Sequence, residues 1–87
     1  METIYKYNNR KMYSKKHKKY VTQNGYLKQL IIAGADFQIL ENESQKDVTV
    51  NVLQSMLSDK NNLNELKYIV DVICEIRSGN VSDNTIS

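Results

Sequence analysis

The spacing of the apolar residues changes period along this chain, and that change limits the fold more than any single residue does. From Ile4 to Tyr20 the chain carries Tyr5, Tyr7, Tyr13 and Tyr20 among lysines and amides, a β-leaning set with no helical stripe. Beyond Thr22 the spacing becomes that of amphipathic helices, interrupted by one short alternating run. Strands followed mainly by helices predict an α+β domain. With 87 residues there is room for one such unit, because a chain this short buries only about 60% of its unfolded surface.

Element by element, a strand is predicted through Tyr5–Tyr7, then a hairpin with arms Arg10–Tyr13 and Lys19–Thr22 and a tip at Ser14-Lys15-Lys16-His17-Lys18. A short helix follows, with Thr22 or Asn24 as N-cap, Leu27, Leu30, Ile31 and Ile32 as its apolar face, and Gly34 as a left-handed terminator. Phe37 and Ile39 inward with Gln38 outward predict a half-buried strand that turns at Glu41-Asn42-Glu43-Ser44-Gln45, giving a strand pair. Thr49 is the expected cap of the next helix, whose apolar residues are Val50, Val52, Leu53, Met56 and Leu57; Asp59-Lys60-Asn61-Asn62 breaks it. The last and longest helix opens on Asn62 with Glu65 as a capping box and runs to Ser78. Its apolar stripe, Leu63, Leu66, Ile69, Val70, Ile73 and Ile76, is wider than a shallow core needs. A helix of about sixteen residues also spans roughly 24 Å, so these six are the expected oligomer interface of a homo-oligomer. Residues 79–87 are polar and expected to form a flexible tail.

The formal net charge of +2 is uninformative as a total. Residues 1–20 hold seven basic side chains against one acid, a net of +6, whereas residues 21–87 hold five against nine, a net of −4. A basic first quarter on an acidic remainder points toward a polyanionic partner.

Catalysis finds no support in the residues. His17 lies among lysines in a predicted turn, with no acid or nucleophile fixed beside it, and reads as an exposed turn histidine. Cys74 falls beside the apolar stripe of the last helix and reads as an inert, half-buried thiol. No glycine-rich phosphate loop and no HExxH are present. One cysteine and one histidine do not make a structural zinc site. The chain is therefore expected to be no enzyme and to need no metal or cofactor. Apolar runs end after a few residues, as at Leu30-Ile31-Ile32-Ala33, so no membrane span or signal-peptide core is expected.

The densest signal is Lys6-Tyr7-Asn8-Asn9-Arg10-Lys11-Met12-Tyr13. Arginine can pair with guanine O6 and N7, asparagine with adenine, and lysine neutralises phosphate. A two-stranded ribbon fits the DNA major groove, so a basic hairpin needs no recognition helix.

The same residues resemble the N-terminal DNA-binding domain of the polyhydroxyalkanoate (polyhydroxybutyrate) synthesis repressor family. That family opens close to I-x-K-Y-x-N-R-R-L-Y, met here by Ile4, Lys6, Tyr7, Asn9, Arg10 and Tyr13, with Lys11 and Met12 as close replacements. Its Y-[IV]-T, D/E-F and D-[LI]-T motifs are met by Tyr20-Val21-Thr22, Asp36-Phe37 and Asp47-Val48-Thr49, and the agreement continues through Leu53 and Gln54, covering residues 4–58. Three departures stand out. Gln23-Asn24-Gly25 is one residue longer than the family's helix start, Gln45 replaces a common glycine, and the tip Lys15-Lys16-His17-Lys18 is basic where the family is neutral and polar.

The resemblance implies a cytoplasmic, bacterial DNA-binding transcriptional regulator, a repressor, with double-stranded DNA as its partner. Residues 1–60 would form the DNA-binding domain and 61–78 the oligomerisation helix. The DNA-binding set is then Lys6, Tyr7, Asn9, Arg10, Lys11, Tyr13, Lys15, Lys16, Lys18 and Lys19, with Asn9 and Arg10 aimed at base edges and the lysines at phosphates. Family members usually continue into a segment associated with the polymer granule, and granule binding is not carried over to this chain. Two alternatives compete: an oligomeric protein–protein adaptor or granule-associated module without DNA binding, and an RNA-binding hairpin whose tyrosines stack on bases.

Overall fold

The structure is a computed structural model that describes residues 1–9 and 11–78. It is an α+β domain, as the change of period predicts. The elements run β1 (Glu2–Lys6), β2 (Met12–Ser14), β3 (Lys19–Val21), one π-helical turn (Gln23–Leu27), α1 (Lys28–Ala33), β4 (Phe37–Glu41), α2 (Thr49–Met56) and α3 (Lys60–Ser78). The four strands form one sheet in the order β3-β2-β1-β4. Among the described residues no helix is long and apolar enough to cross a membrane.

Two strand expectations need correction. The first strand begins at Glu2 and ends at Lys6, so Tyr7 lies beyond it. The strand at Phe37 does not pair with a neighbour in sequence. It lies parallel to β1, with Ile4 opposite Ile39, and only the single bridge Leu40–Asp47 follows its turn. Burying Phe37 and Ile39 against the helices together with Ile4 outweighs the local convenience of a second hairpin, because both strands then present their apolar rows to one core.

Period-two alternation divides the sheet. Ile4, Met12, Ser14, Phe37 and Ile39 are buried on the inner face. There they meet Leu27, Leu30 and Ile31, Val52, Leu53 and Met56 of α2, and Leu66 and Val70 of α3 in one core. Tyr5, Tyr13, Tyr20 and Leu40 are register neighbours across all four strands, and the pleat turns them to the opposite face.

The helix ends show which side chains cap. Thr22 Oγ1 accepts the Gly25 N–H at 3.0 Å, so Thr22 is the cap; Asn24 instead accepts from Asn62 Nδ2 at 2.9 Å. Gln23-Asn24-Gly25 opens a π turn, in which the N–H of Leu27 bonds the Thr22 carbonyl and that of Lys28 the Gln23 carbonyl, five residues back each time. Gly34 ends α1 in the left-handed region at φ 69°, as predicted. Ile32, placed on the apolar face from its spacing, is 56% exposed.

Thr49 does not cap α2. Its buried hydroxyl accepts the Ile39 N–H at 2.8 Å and donates to Asp47 Oδ1 at 2.6 Å, and Asp47 Oδ1 also accepts the Thr49 N–H at 2.9 Å. The Asp47-Val48-Thr49 motif thus ties β4 to the start of α2. Nor does Asn62 open α3. The helix starts at Lys60, and the Asp59 carboxylate accepts from the N–H groups of Asn61 and Asn62, where a negative charge complements the helix dipole. Glu65, released from the expected capping box, pairs with Lys28 at 3.0 Å.

Candidate nucleic-acid interface

The β2–β3 hairpin forms the free edge of the sheet, since β3 is terminal in the strand order. Its loop spans residues 15–18, with Lys18 in the left-handed region at φ 57°; a four-residue loop closed this way needs no Asn-Gly pair. Ser14 organises it: its carbonyl accepts the Lys18 N–H at 2.7 Å and its buried hydroxyl the His17 N–H at 3.1 Å.

His17 is exposed, as expected, yet it is held. Its ring meets Tyr26 edge-on at 5.2 Å between centroids, with Nε2 2.9 Å from the Tyr26 hydroxyl. That hydroxyl donates its one proton to the Glu2 carboxylate, so His17 Nε2 is the donor in its own bond. Burial, then the hydrogen bond and charge of Glu2, push the Tyr26 phenol up to about 12. The chain Glu2–Tyr26–His17 braces the lysine tip against the π turn and β1.

The six lysines expected to contact DNA do not form one continuous patch. Lys15, Lys16, Lys18 and Lys19 lie at or beside the hairpin tip. Lys6 and Lys11 lie at the other end of the strands, Lys11 four residues before Lys15, or roughly 13 Å along an extended chain. Between the two ends stands an aromatic face. Tyr13 and Tyr20 are cross-strand partners with rings 5.5 Å apart and edge-on; Tyr7 lies 6.1 Å from Tyr20; and Lys11 Nζ sits 5.4 Å from the Tyr20 ring centre. Among the described residues none of these six lysines forms an ion pair, whereas Lys28, Lys67 and Arg77 do. Lys46 and Lys60 also form none, so six of the eight unpaired lysines among the described residues stand around the edge hairpin.

Asn9 is used by the turn itself, its Oδ1 accepting the Lys11 N–H at 3.1 Å, and neighbouring Asn8 donates to Glu43 at 2.9 Å. Both amides shape the connection from β1 to β2. Arg10 lies outside the described residues. Tyr20, absent from the expected contact set, stands at the centre of the face and is 60% exposed; pairing Tyr13 with Tyr20 across the loop, by alternation alone, would have found it.

The expected oligomer interface divides. Leu66 and Val70 are fully buried in the chain's own core, so they are closed to another copy. Ile69 and Ile73 are half-buried against that core. Leu63 and Ile76 are exposed, and with Ile76 on the outer surface of α3 stand Tyr68 and Val72, two residues the stripe did not include. Cys74 is half-buried, and burial, then the charge of Asp71, raises its thiol, which disfavours the reactive thiolate.

A family model described as the PHB/PHA accumulation regulator DNA-binding domain matches residues 3–64. No curated protein and no solved structure gives a match. The match spans every strand, the π turn, α1, α2 and the first turn of α3.

Proposed function

The chain belongs to the PHB/PHA accumulation regulator DNA-binding domain family, and from that premise, which makes it a DNA-binding regulator, we propose that it represses transcription by setting the edge hairpin β2–β3 against duplex DNA. The observation that carries this reading is the gathering of six lysines without ion pairs around one edge ribbon, the shape that enters a major groove. Lys15, Lys16, Lys18 and Lys19 contact phosphates at one end and Lys6 and Lys11 at the other. Tyr7, Tyr13 and Tyr20 pack on sugar and backbone between them, and Arg10 reads a base edge. Asn9 shapes the connection from β1 to β2. The protein works in the cytoplasm, where bacterial DNA lies.

Two copies act together through α3. Tyr68, Val72 and Ile76 follow one another at four-residue spacing, so they line one side of the helix. A two-fold axis through Val72 sets Tyr68 of one copy against Ile76 of the other, the self-complementary pattern an isologous interface requires.

If six phosphates are engaged, DNA affinity falls about 10³-fold between 50 and 200 mM salt. Lys16→Gln weakens binding to matched and scrambled duplexes alike and reduces the salt slope by about one, whereas Arg10→Ala costs about 1–3 kcal/mol on the matched sequence and relaxes specificity. Fluorescence anisotropy across a salt series measures both, and affinity that ignores salt would refute the electrostatic mechanism.

A further inference from the structure

The inner face of the sheet is not closed evenly. The row containing Ile4 and Ile39 is sealed by the helices. The next row, Lys6, Met12 and Val21 by register, borders an open cleft. Met12 is its floor, only 2% exposed, and Val21 extends the apolar surface. Gln23 of the π turn and Ser55 of α2 stand across from the strands, with Lys6 and Lys11 among the lining groups. The cleft holds about 670 Å³, within the roughly 300–1,000 Å³ of small-molecule sites.

The chemistry of the lining selects the ligand. Among the described residues two lysines line the cleft and no acidic residue does, so an anionic head group is favoured. Apolar walls beside them lower the local dielectric, which strengthens that attraction, and favour an apolar body over a bare ion. The Gln23 amide remains to fix orientation, while the Ser55 hydroxyl donates to the Val52 carbonyl at 2.7 Å and is left as an acceptor. The π turn brings Gln23 to this wall, and π turns recur at functional sites. The geometry points to a binding site for a small amphiphilic anion, with its carboxylate or phosphate on Lys6 and Lys11 and its apolar body over Met12 and Val21.

The consequence for regulation rests on the DNA-binding reading in one respect. Lys6 and Lys11 belong to the proposed phosphate-contacting set, so DNA and the anion compete for the same two charges. By linkage each then weakens the other's binding by the same factor, and a rise in the anion releases the regulator from DNA.

The test is an amide chemical-shift titration of the full chain with hexanoate and, separately, hexyl phosphate. Hexanol serves as the neutral counterpart and inorganic phosphate as the bare head group. At least one amphiphilic anion gives saturable shifts centred on Met12, Val21, Gln23 and Ser55, while hexanol and inorganic phosphate at equal concentration give none. The head group that saturates first separates a carboxylate from a phosphate ligand. Ser55→Phe, which fills the cleft from α2 and lies outside the proposed DNA surface, abolishes these shifts and keeps DNA affinity; Ser55→Leu does the same with less bulk should phenylalanine disturb the fold. Saturating anion lowers wild-type DNA affinity about tenfold and leaves the Ser55→Phe variant unaffected. Shifts from neither anion, or equal shifts from hexanol, overturn the site and leave DNA binding standing. A protein that takes the anion in the cleft but never binds duplex DNA keeps the site and loses only the DNA reading.

Discussion

Gln45 holds a backbone conformation that suits glycine better. Its φ of 62° lies in the left-handed region, where a Cβ costs about 1–2 kcal/mol, and the turn is kept by its N–H bond to the Glu41 carbonyl at 2.8 Å. The glutamine side chain recovers part of that cost by donating to the Asn42 carbonyl at 2.7 Å. Gln45→Gly removes the strain and the side-chain bond together and adds some unfolded-state entropy. The expected net is a gain of about 0.5 kcal/mol, read as a higher urea midpoint at unchanged slope; a lower midpoint would mean that the bond to Asn42 outweighs the strain. Gly25 is constrained for a different reason. A Cβ there would stand 2.4 Å from Thr22 Oγ1, so Gly25→Ala must push out the capping hydroxyl and cost about 1–2 kcal/mol. In a Thr22→Ala background most of that cost disappears, since the clash and the cap are both already gone. Thermal melts of the two single variants and the double variant measure this coupling.

At the scale of elements, Asp47 joins three of them. It accepts from Thr49 at the start of α2, Thr49 in turn accepts from β4, and the Arg77 guanidinium at the end of α3 donates to Asp47. Burial pushes the Asp47 carboxyl up, but the hydroxyl and N–H of Thr49 and the charge and hydrogen bond of Arg77 outweigh it and hold the carboxyl below its ordinary value. A depressed carboxyl stabilises the fold above its unfolded pKa of about 3.9, and that stabilisation is lost as pH falls through the lower folded value. Asp47→Asn is therefore less stable than wild type at neutral pH, by on the order of 1 kcal/mol because the Asp47 side chain is 43% exposed and solvent screens it. Denaturation at pH 7, 5 and 3 should show the difference narrowing only below about pH 4. A constant difference across that range would mean the carboxylate charge plays no part. The Asp47-Val48-Thr49 pattern was legible as a helix start from sequence. Its bond to β4 was not, because nothing local announces that Thr49 Oγ1 will meet the Ile39 N–H.

At the scale of the whole molecule, the long last helix presents two apolar sides. Leu66 and Val70 close the core of their own chain, while Tyr68, Val72 and Ile76, 82%, 54% and 66% exposed, remain outside. Val72→Asp should convert the proposed dimer to monomer without unfolding it, since its side chain lies outside the core. Light scattering coupled to size exclusion measures this, and a wild-type protein that stays monomeric at 100 μM, about the upper range at which a moderately tight dimer would be seen, would dispose of the interface. Spacing located an apolar helix that begins two residues earlier than expected, at Lys60. It did not divide the residues between core and surface, because a stripe broader than one face leaves open which flank the neighbouring α1 and α2 will cover.

What the sequence determined by itself is local or periodic. The shift from tyrosine alternation to helical spacing set the α+β class, Gly34 and Thr22 ended and began their helices through backbone preference and a reachable hydroxyl, and the order of residues 4–58 carried the family. Charge counted along the chain also singled out the hairpin, because lysines clustered in sequence stay clustered when the intervening chain is short. Tertiary structure alone decided the rest: that β4 lies parallel to β1, that the tyrosines of three strands share one face, that the lysines among the predicted DNA contacts fall at two ends of a ribbon, and that Lys6, Lys11, Gln23 and Ser55 surround one cleft. Those juxtapositions join residues up to 49 positions apart, from Lys6 to Ser55. No local preference encodes them; they follow from the way a single small core must be sealed by every apolar face the chain possesses.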